Sequence, residues 1–298
     1  MSTRPVGSAS GGGDQAVALE GLVVRSHPML RKAVRNRSLI TGATILGILI
    51  LLAVLAPWID RYPPLEQNLT EILQTPSWAH WLGTDQLGRD VWSRLLWAGR
   101  FDLATGFIVV LIPITIGTII GTLAGYYKGW PDTLLSRIID VVMAFPYYVL
   151  IITLVFAVGK GIRGIFIAFA LTDWVTYART VRSSTLVVGR LGWSSAAKGG
   201  GLSDGRILSR HILPNTITQA IVYATSDIVY VILAVVTLGY LGLGIQAPQP
   251  DWGSMIFDGQ AFMTTKWWLA TIPGLCVVLT GIGLSLLGDG LADVLRPE

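Results

Sequence analysis

Residues 103–126 read LATGFIVVLIPITIGTIIGTLAGY, a run of 24 residues without a charged side chain. About 20 consecutive apolar residues are enough for a helix to cross the hydrocarbon core of a bilayer, so this run predicts a transmembrane helix. Five further apolar runs of span length occur in the chain, at about 39–59, 138–158, 162–181, 217–243 and 267–287. We therefore predict an all-α, polytopic integral membrane protein with about six transmembrane helices.

The composition agrees with this prediction and narrows the function classes. Of the 298 residues, 52% are hydrophobic and 13% are charged, whereas about 25% are charged in soluble domains. Cys276 is the only cysteine, which excludes a disulfide framework or a multi-thiolate metal site within the chain. The net charge of +4 comes from basic residues that flank the apolar runs, so it indicates membrane topology and no nucleic-acid partner.

The lysine and arginine positions predict the orientation. Fifteen of them precede the first run, join the second to the third and the fourth to the fifth, or follow the sixth. The other side carries seven, several of them interleaved with acidic residues. Because basic residues are enriched in cytoplasmic loops, we expect both termini to be cytoplasmic and the protein to lie in the cell (plasma or inner) membrane.

Four segments follow from this topology. We expect a cytoplasmic N-terminal tail at 1–37, a first transmembrane helix at 38–59, an external segment at 60–102 and a membrane core at 103–298 with a cytoplasmic loop at 183–215. The first 21 residues are rich in Gly, Ser and Ala, which is typical of a disordered tail. The first apolar run is of span length, so it predicts an anchor that is retained and not a cleaved signal peptide.

The cytoplasmic loop is too polar to span and is patterned for short helices. Ser194 and Ser195 are candidate caps of a first helix, which a glycine run at 199–201 ends. Ser203 or Asp204 is a candidate cap for a second helix, and Pro214 is expected to stop it before the fifth span.

This loop carries a family resemblance. The segment SAAKGGGLSDGRILSRHILPN (195–215) resembles the EAA loop of ABC importer permeases, which is that family's coupling helix. Ala196, Ala197, Gly201, Leu213 and Pro214 match it, whereas Ser195 stands where the family has an acidic residue. The blocks at 80–100, 241–256 and 273–297 are similar to the C-type subunit of the dipeptide, oligopeptide and nickel permeases.

The resemblance implies a type I ABC importer permease fold and a subunit that forms half of a pore. It implies four partners: a second, B-type permease, cytoplasmic ATPase subunits, an external substrate-binding protein and the lipid bilayer. It also implies no enzyme activity and no cofactor on this chain, with ATP and Mg bound by the ATPases; the sequence has no GxxxxGK[ST] motif. The residues expected to couple to the ATPase are Ser195, Ala196, Ala197, Gly201, Leu202, Ser203, Asp204, Leu213 and Pro214.

Two acidic residues fall deep inside the predicted spans. Asp173 and Asp227 either line the translocation pathway, where they meet a peptide's amino terminus, or hydrogen-bond between helices. The resemblance points to peptides as the substrate, with nickel or another small solute as the alternative. A secondary transporter driven by an ion gradient is a second class, which we expect to show paired repeats. An intramembrane enzyme is a third, and it requires a nucleophile and base or metal ligands at membrane depth.

Overall fold

A computed structural model describes residues 28–295, so residues 1–27 of the predicted 1–37 tail lie outside this part of the chain. Between residues 28 and 295 the regular structure is helical, so the all-α prediction is confirmed. The helices are α1 (Pro28–Arg35), α2 (Arg37–Ile59), α3 (Val91–Tyr127), α4 (Gly129–Met143), α5 (Tyr147–Val158), α6 (Ile162–Thr172), α7 (Trp174–Val188), α8 (Gly192–Gly199), α9 (Asp204–Ile207), α10 (Leu213–Tyr240), α11 (Trp252–Gln260) and α12 (Trp268–Leu295).

The number of spans differs from the predicted six. By length and composition, four helices of the described chain are able to cross a membrane, and they lie at Arg37–Ile59, Val91–Tyr127, Asp204–Tyr240 and Trp268–Val294. The count rises to five if α4 and α5, which are bent by 89°, form one span. The predicted fourth span is divided between α6 and α7, of 11 and 15 residues, with Asp173 at the junction.

A proline accounts for the bend in the predicted third span. Pro146 directly precedes α5, and it is preceded by Ala144 and Phe145, which end α4. Proline disfavours helical backbone at the residue before it and lacks an N–H to continue the ladder, so the apolar run is split into two helices.

Pro214, by contrast, does not stop the helix that precedes it. A π-helical turn at Leu208–Ile212 joins α9 to α10, and Pro214 lies in the first turn of α10. A proline is tolerated there because its φ suits a helix and the wider π turn relieves the demand for its missing N–H. Asn215 Nδ2 donates to the His211 carbonyl at 2.6 Å, which occupies one of the carbonyls of that turn.

Glycines allow two pairs of helices to pack closely. Gly117, Gly121 and Gly125 repeat every fourth residue along α3 and face α7. A Cβ at Gly121 would lie 2.4 Å from the Ala178 carbonyl oxygen, so no larger residue fits. Small residues at this spacing let helix backbones approach in membranes. Gly42 of α2 is packed in the same way against α12.

Candidate functional sites

The predicted coupling helix forms as α8 and ends in a Schellman motif. Gly201 has φ +80°. The Leu202 N–H donates to the Ala197 carbonyl at 3.2 Å and the Gly201 N–H to the Lys198 carbonyl at 3.1 Å. This pair of hydrogen bonds requires the residue after the helix to have a left-handed backbone conformation. Glycine adopts that conformation at the least cost in free energy. Glycine is therefore the residue that this backbone conformation favours most at position 201.

The start of α8 differs from the prediction. Leu191 is the N-cap, so Ser194 and Ser195 lie inside the helix and are not its caps. Nothing is described of the Ser195 side chain. Ala196 is exposed and Ala197 half-buried, so α8 presents a small apolar surface with Lys198 beside it.

Asp204 fastens this region to α3. Ser203, one of the two predicted caps, occupies the N-cap position of α9 without a side-chain capping hydrogen bond, and Asp204 is the first residue of the helix. The Tyr126 hydroxyl, at the C-terminal end of α3, donates to Asp204 Oδ1 at 2.6 Å. Lys198 Nζ lies 3.9 Å from the same oxygen and 5.9 Å from the centre of the Tyr126 ring. Sequence reasoning missed Tyr126 because it lies far from the loop in the chain.

The last two predicted coupling residues lie away from α8. Leu213 is half-buried and lines an apolar cavity of about 260 Å³ with Leu123 of α3 and Gly205 of α9. Pro214 is exposed on α10. The structure thus brings residues 196–204 together at the end of α3 and places Leu213 and Pro214 beyond the π turn.

A second link braces the same end of the molecule. The Arg182 guanidinium of α7 forms a two-pronged ion pair with Asp132 of α4, and Nη2 lies 2.9 Å from Oδ2. Such a fork holds two helices in a defined orientation. The sequence gives no signal for this pair, since its members lie in different predicted spans or loops.

Asp227 is engaged between helices. It lies buried on α10 and accepts a 2.8 Å hydrogen bond from the Tyr177 hydroxyl of α7. The rings of Tyr177 and Tyr223 meet edge to face with centres 4.9 Å apart. This geometry fits the second of the two interpretations of Asp227, a hydrogen bond between helices.

Asp173 has a different environment. It lies at the junction of α6 and α7 and lines a cavity of about 160 Å³. The Tyr147 hydroxyl is 3.4 Å and the Thr172 hydroxyl 3.3 Å from its carboxylate oxygens, both long for hydrogen bonds to a charged group.

The opposite end of α3 carries residues 60–90, which we call the N-end segment. Its centre is a cluster of buried charges. Asp85 accepts from Arg89 Nε at 2.7 Å and lies 3.3 Å from Arg94 Nε. His80 Nδ1 lies 2.9 Å from Asp90 Oδ1, and the other oxygen of Asp90 caps α3 at the Ser93 N–H. The segment is therefore a folded unit and not a mobile loop.

Two further contacts fasten α11 to this end. Asp102 accepts a 2.8 Å hydrogen bond from the Trp252 N–H, and the Trp252 indole donates to the Leu95 carbonyl. Asp251 caps α11 at the Ser254 N–H. One carboxylate oxygen of Asp102 and one of Asp251 are buried without a hydrogen-bond partner in the described chain.

Comparison with known proteins gives two family matches. Residues 117–298 match the family described as binding-protein-dependent transport system inner membrane component. Residues 27–76 match the N-terminal transmembrane domain of oligopeptide transport permease C.

Curated relatives resemble nearly the whole chain. The dipeptide transport system permease protein DppC of Alkalihalophilus pseudofirmus is 39% identical, over 89% of this chain and 87% of its own. The glutathione transport system permease protein GsiD of Escherichia coli O6:K15:H31 is 40% identical, over 91% of this chain and 90% of its own. The probable D,D-dipeptide permease DdpC of Escherichia coli K12 is 36% identical over 87% of each chain.

The fold is also found among solved structures. An inward-facing MetNI methionine ABC transporter contains a chain that superposes with a TM-score of 0.53 at 17% identity. The match covers 65% of this chain and 93% of that one. At this identity the likeness is one of fold alone.

Proposed function

Because this chain belongs to the family of binding-protein-dependent transport system inner membrane components, we propose that it forms half of the pore of an ATP-driven importer and transmits ATPase motion through α8. The resemblance predicted from the residue blocks is confirmed by the family and by relatives that align over most of the chain. The observation that supports the coupling role is the exposure of Ala196 and Lys198 in the second half of α8, together with the Asp204 contact that attaches this region to the end of α3.

The proposed coupling has three steps: α8 docks on an ATPase, the ATPase moves α8, and the movement passes to α3 and α10. The apolar surface at Ala196 and Ala197 seats on a cytoplasmic ATPase subunit, which binds ATP and Mg. Closure of the ATPases on ATP then moves α8, and the motion reaches α3 through Tyr126 and reaches α10 through the continuous helix from Asp204. The driving free energy comes from tighter ATP binding to the closed state, so it is delivered only while α8 is docked.

Orientation follows from the same proposal. The end of α3 at Tyr126 and both termini face the cytoplasm, since the basic residues concentrate on that side. The N-end segment then faces outward and offers a surface to an external substrate-binding protein. Trp78, with 91% of its surface exposed, and Trp81, stacked under Arg61 at 5.0 Å, are the aromatic groups that this surface presents.

Peptides are the proposed cargo. The relatives are named as dipeptide, D,D-dipeptide, peptide and glutathione permeases, and all of these cargoes are peptides or peptide-like. The decisive measurement is ATP-dependent uptake of labelled dipeptides and of glutathione into proteoliposomes that contain this chain, its partner permease, the ATPases and the binding protein. Uptake of nickel with no peptide uptake would assign the chain to the alternative cargo.

Substitution of Gly201 tests the docking of α8. Gly201→Trp should abolish uptake while the subunit still inserts, because the indole protrudes where the ATPase seats. A Cβ at Gly201 meets no atom within 4 Å, so the chain itself does not obstruct the first atom of a side chain there. Gly201→Ala carries the same left-handed backbone penalty, about 1–2 kcal/mol, without the bulk, and should retain most uptake.

Cross-linking tests the partner directly. With Cys276 replaced by serine, Ala196→Cys is the only thiol of the chain and lies exposed on α8. It should cross-link to an ATPase subunit. Trp78→Cys, on the N-end segment, should not. Uptake at the wild-type rate in Gly201→Trp, together with no ATPase adduct at Ala196→Cys, would refute the docking role.

A further inference from the structure

Two interrupted helices meet at one cavity. The bend between α4 and α5 contributes Met143, Phe145 and Tyr147, and the junction of α6 and α7 contributes Thr172 and Asp173. The cavity volume is about 160 Å³. Helix interruptions at membrane depth are tolerated where the backbone lines a water-filled cavity or is buried in protein. Interrupted helices also form substrate sites in transporters of other classes.

The cavity lies near the middle of the predicted fourth span. Asp173 is 11 residues beyond the first residue of α6, which corresponds to about 16 Å along a helix and to about half of the hydrocarbon thickness. Its exposed fraction is 5%. A carboxylate at this depth is costly unless water or a cation compensates it.

The described chain supplies little of that compensation. The two hydroxyls near Asp173, from Tyr147 and Thr172, are 3.4 Å and 3.3 Å away, and the ion pairs found among the described side chains join other residues. Asp227 differs, since Tyr177 donates to it at 2.8 Å. A carboxylate offers about four lone pairs, so Asp173 keeps free acceptor capacity directed at the cavity.

We propose that Asp173 receives the terminal ammonium group of a peptide in transit, with the Tyr147 and Phe145 rings beside it. The cavity has the volume of about five waters, enough for an ammonium group and its first carbon atoms. Aromatic faces attract cations, so the two rings suit the same ligand. This assignment rests on the proposed peptide import and names the group of the peptide that the permease itself recognises.

The test compares two substrates in two proteins. One substrate is a dipeptide, and the other is its analogue with a hydroxyl in place of the terminal ammonium. Uptake of each is measured in proteoliposomes with saturating binding protein, for the wild type and for Asp173→Asn. Asp173→Asn should slow the dipeptide about tenfold, the effect of losing a charge-assisted hydrogen bond, and should leave the analogue within about twofold.

Because the binding protein is the same in every arm, its own preference cancels in the ratio of the four rates. Asp173→Glu keeps the charge and should restore part of the dipeptide rate. Asp227→Asn is the comparison at a carboxylate that Tyr177 already engages: it removes an interhelical acceptor and should slow both substrates, with less discrimination between them than Asp173→Asn shows.

Three results would overturn the assignment. The first is an equal slowing of both substrates by Asp173→Asn, and the second is wild-type rates for both. The third is loss of the partner permease when Asp173→Asn is purified, which would show that a cation of that partner occupies the cavity. If the wild type takes up neither substrate, the proposed peptide import fails first, and that outcome is distinct from the other three.

Discussion

The N-end segment (residues 60–90) and the C-end segment (residues 189–212) lie at opposite ends of α3 and are fastened to it differently. The N-end segment is held by buried charges, with Asp85 between two arginines and Asp90 between His80 and the start of the helix. The C-end segment is held to α3 by the Tyr126–Asp204 hydrogen bond. Most described residues of both segments are exposed, so the difference lies in the buried charges at residues 80–90.

This difference separates two ways of transmitting force. A segment fastened to a helix by several buried polar contacts moves as one body with that helix. A segment fastened by a single partly exposed hydrogen bond has low local stability and changes position at small cost. The N-end segment is therefore suited to a fixed docking surface, and the C-end segment to a moving contact whose position the partner determines.

The largest expected effect follows from removing the central charge of the N-end segment. Asp85→Ala leaves the Arg89 and Arg94 guanidiniums without their shared carboxylate in a buried site. Breaking a buried pair in this way costs about 3–5 kcal/mol. We expect a large fall in the thermal inactivation temperature of the detergent-solubilised protein and rapid proteolysis within residues 60–90.

Asp140→Ala is the control for that prediction. Asp140 pairs with Arg137 at 4.0 Å, and the two side chains are 69% and 79% exposed. An exposed pair contributes about 0–1 kcal/mol, so inactivation should be nearly unchanged. Equal effects of the two substitutions would mean that the N-end segment is not held by its buried charges.

The sequence predicted the helices better than their interruptions. Uncharged runs such as 103–126 exceed the bilayer thickness and admit one interpretation. The run at 138–158 is just as apolar, yet Pro146 bends it by 89°, and the apolar count carries no information about that geometry. Pro214 was interpreted as a stop, but the π turn before it lets the helix continue, because such a turn depends on packing that no local pattern encodes.

The candidate sites divide in the same way. Gly201 and Ser203 are predictable because capping depends on residues next to each other in the chain. The Tyr126–Asp204 and Asp132–Arg182 contacts join residues 78 and 50 positions apart, and a sequence without an alignment does not reveal such pairs. Asp173 and Asp227 are equally visible as charges in apolar runs, whereas their different partners appear only in the folded chain.

A smaller effect with the opposite sign is expected elsewhere at the N-terminal end of α3. Burial raises the pKa of Asp251 in the folded protein. The pKa of an aspartate in an unfolded chain is about 3.9. A raised folded-state pKa stabilises the fold below the unfolded value, and this stabilisation is lost as pH rises through the folded value. Asp251→Asn keeps a good helix cap without the buried charge.

Asp251→Asn should therefore equal or exceed the wild type in thermal stability at pH 7 and lose less stability than the wild type as pH rises from about 4. Asp90→Asn is the matched change at the other cap, where His80 and Ser93 use both oxygens. It should destabilise by about 1 kcal/mol. A loss of stability in both variants would show that the unpaired oxygen of Asp251 has a partner in the assembled transporter.

The smallest effect on stability should accompany the clearest effect on coupling. Tyr126→Phe removes the hydroxyl that fastens Asp204 to α3 and should change stability by about 1 kcal/mol or less, since one partly exposed hydrogen bond is lost. Amide exchange over residues 192–204 should speed up, and ATP hydrolysed per peptide transported should rise severalfold, because α8 then moves without carrying α3. Tyr127→Phe alters the exposed neighbouring ring and should leave both measurements unchanged. If Tyr126→Phe hydrolyses as much ATP per peptide transported as the wild type, force passes from α8 to the membrane helices through the continuous Asp204–Tyr240 helix alone. The two ends of α3 then differ only in stability.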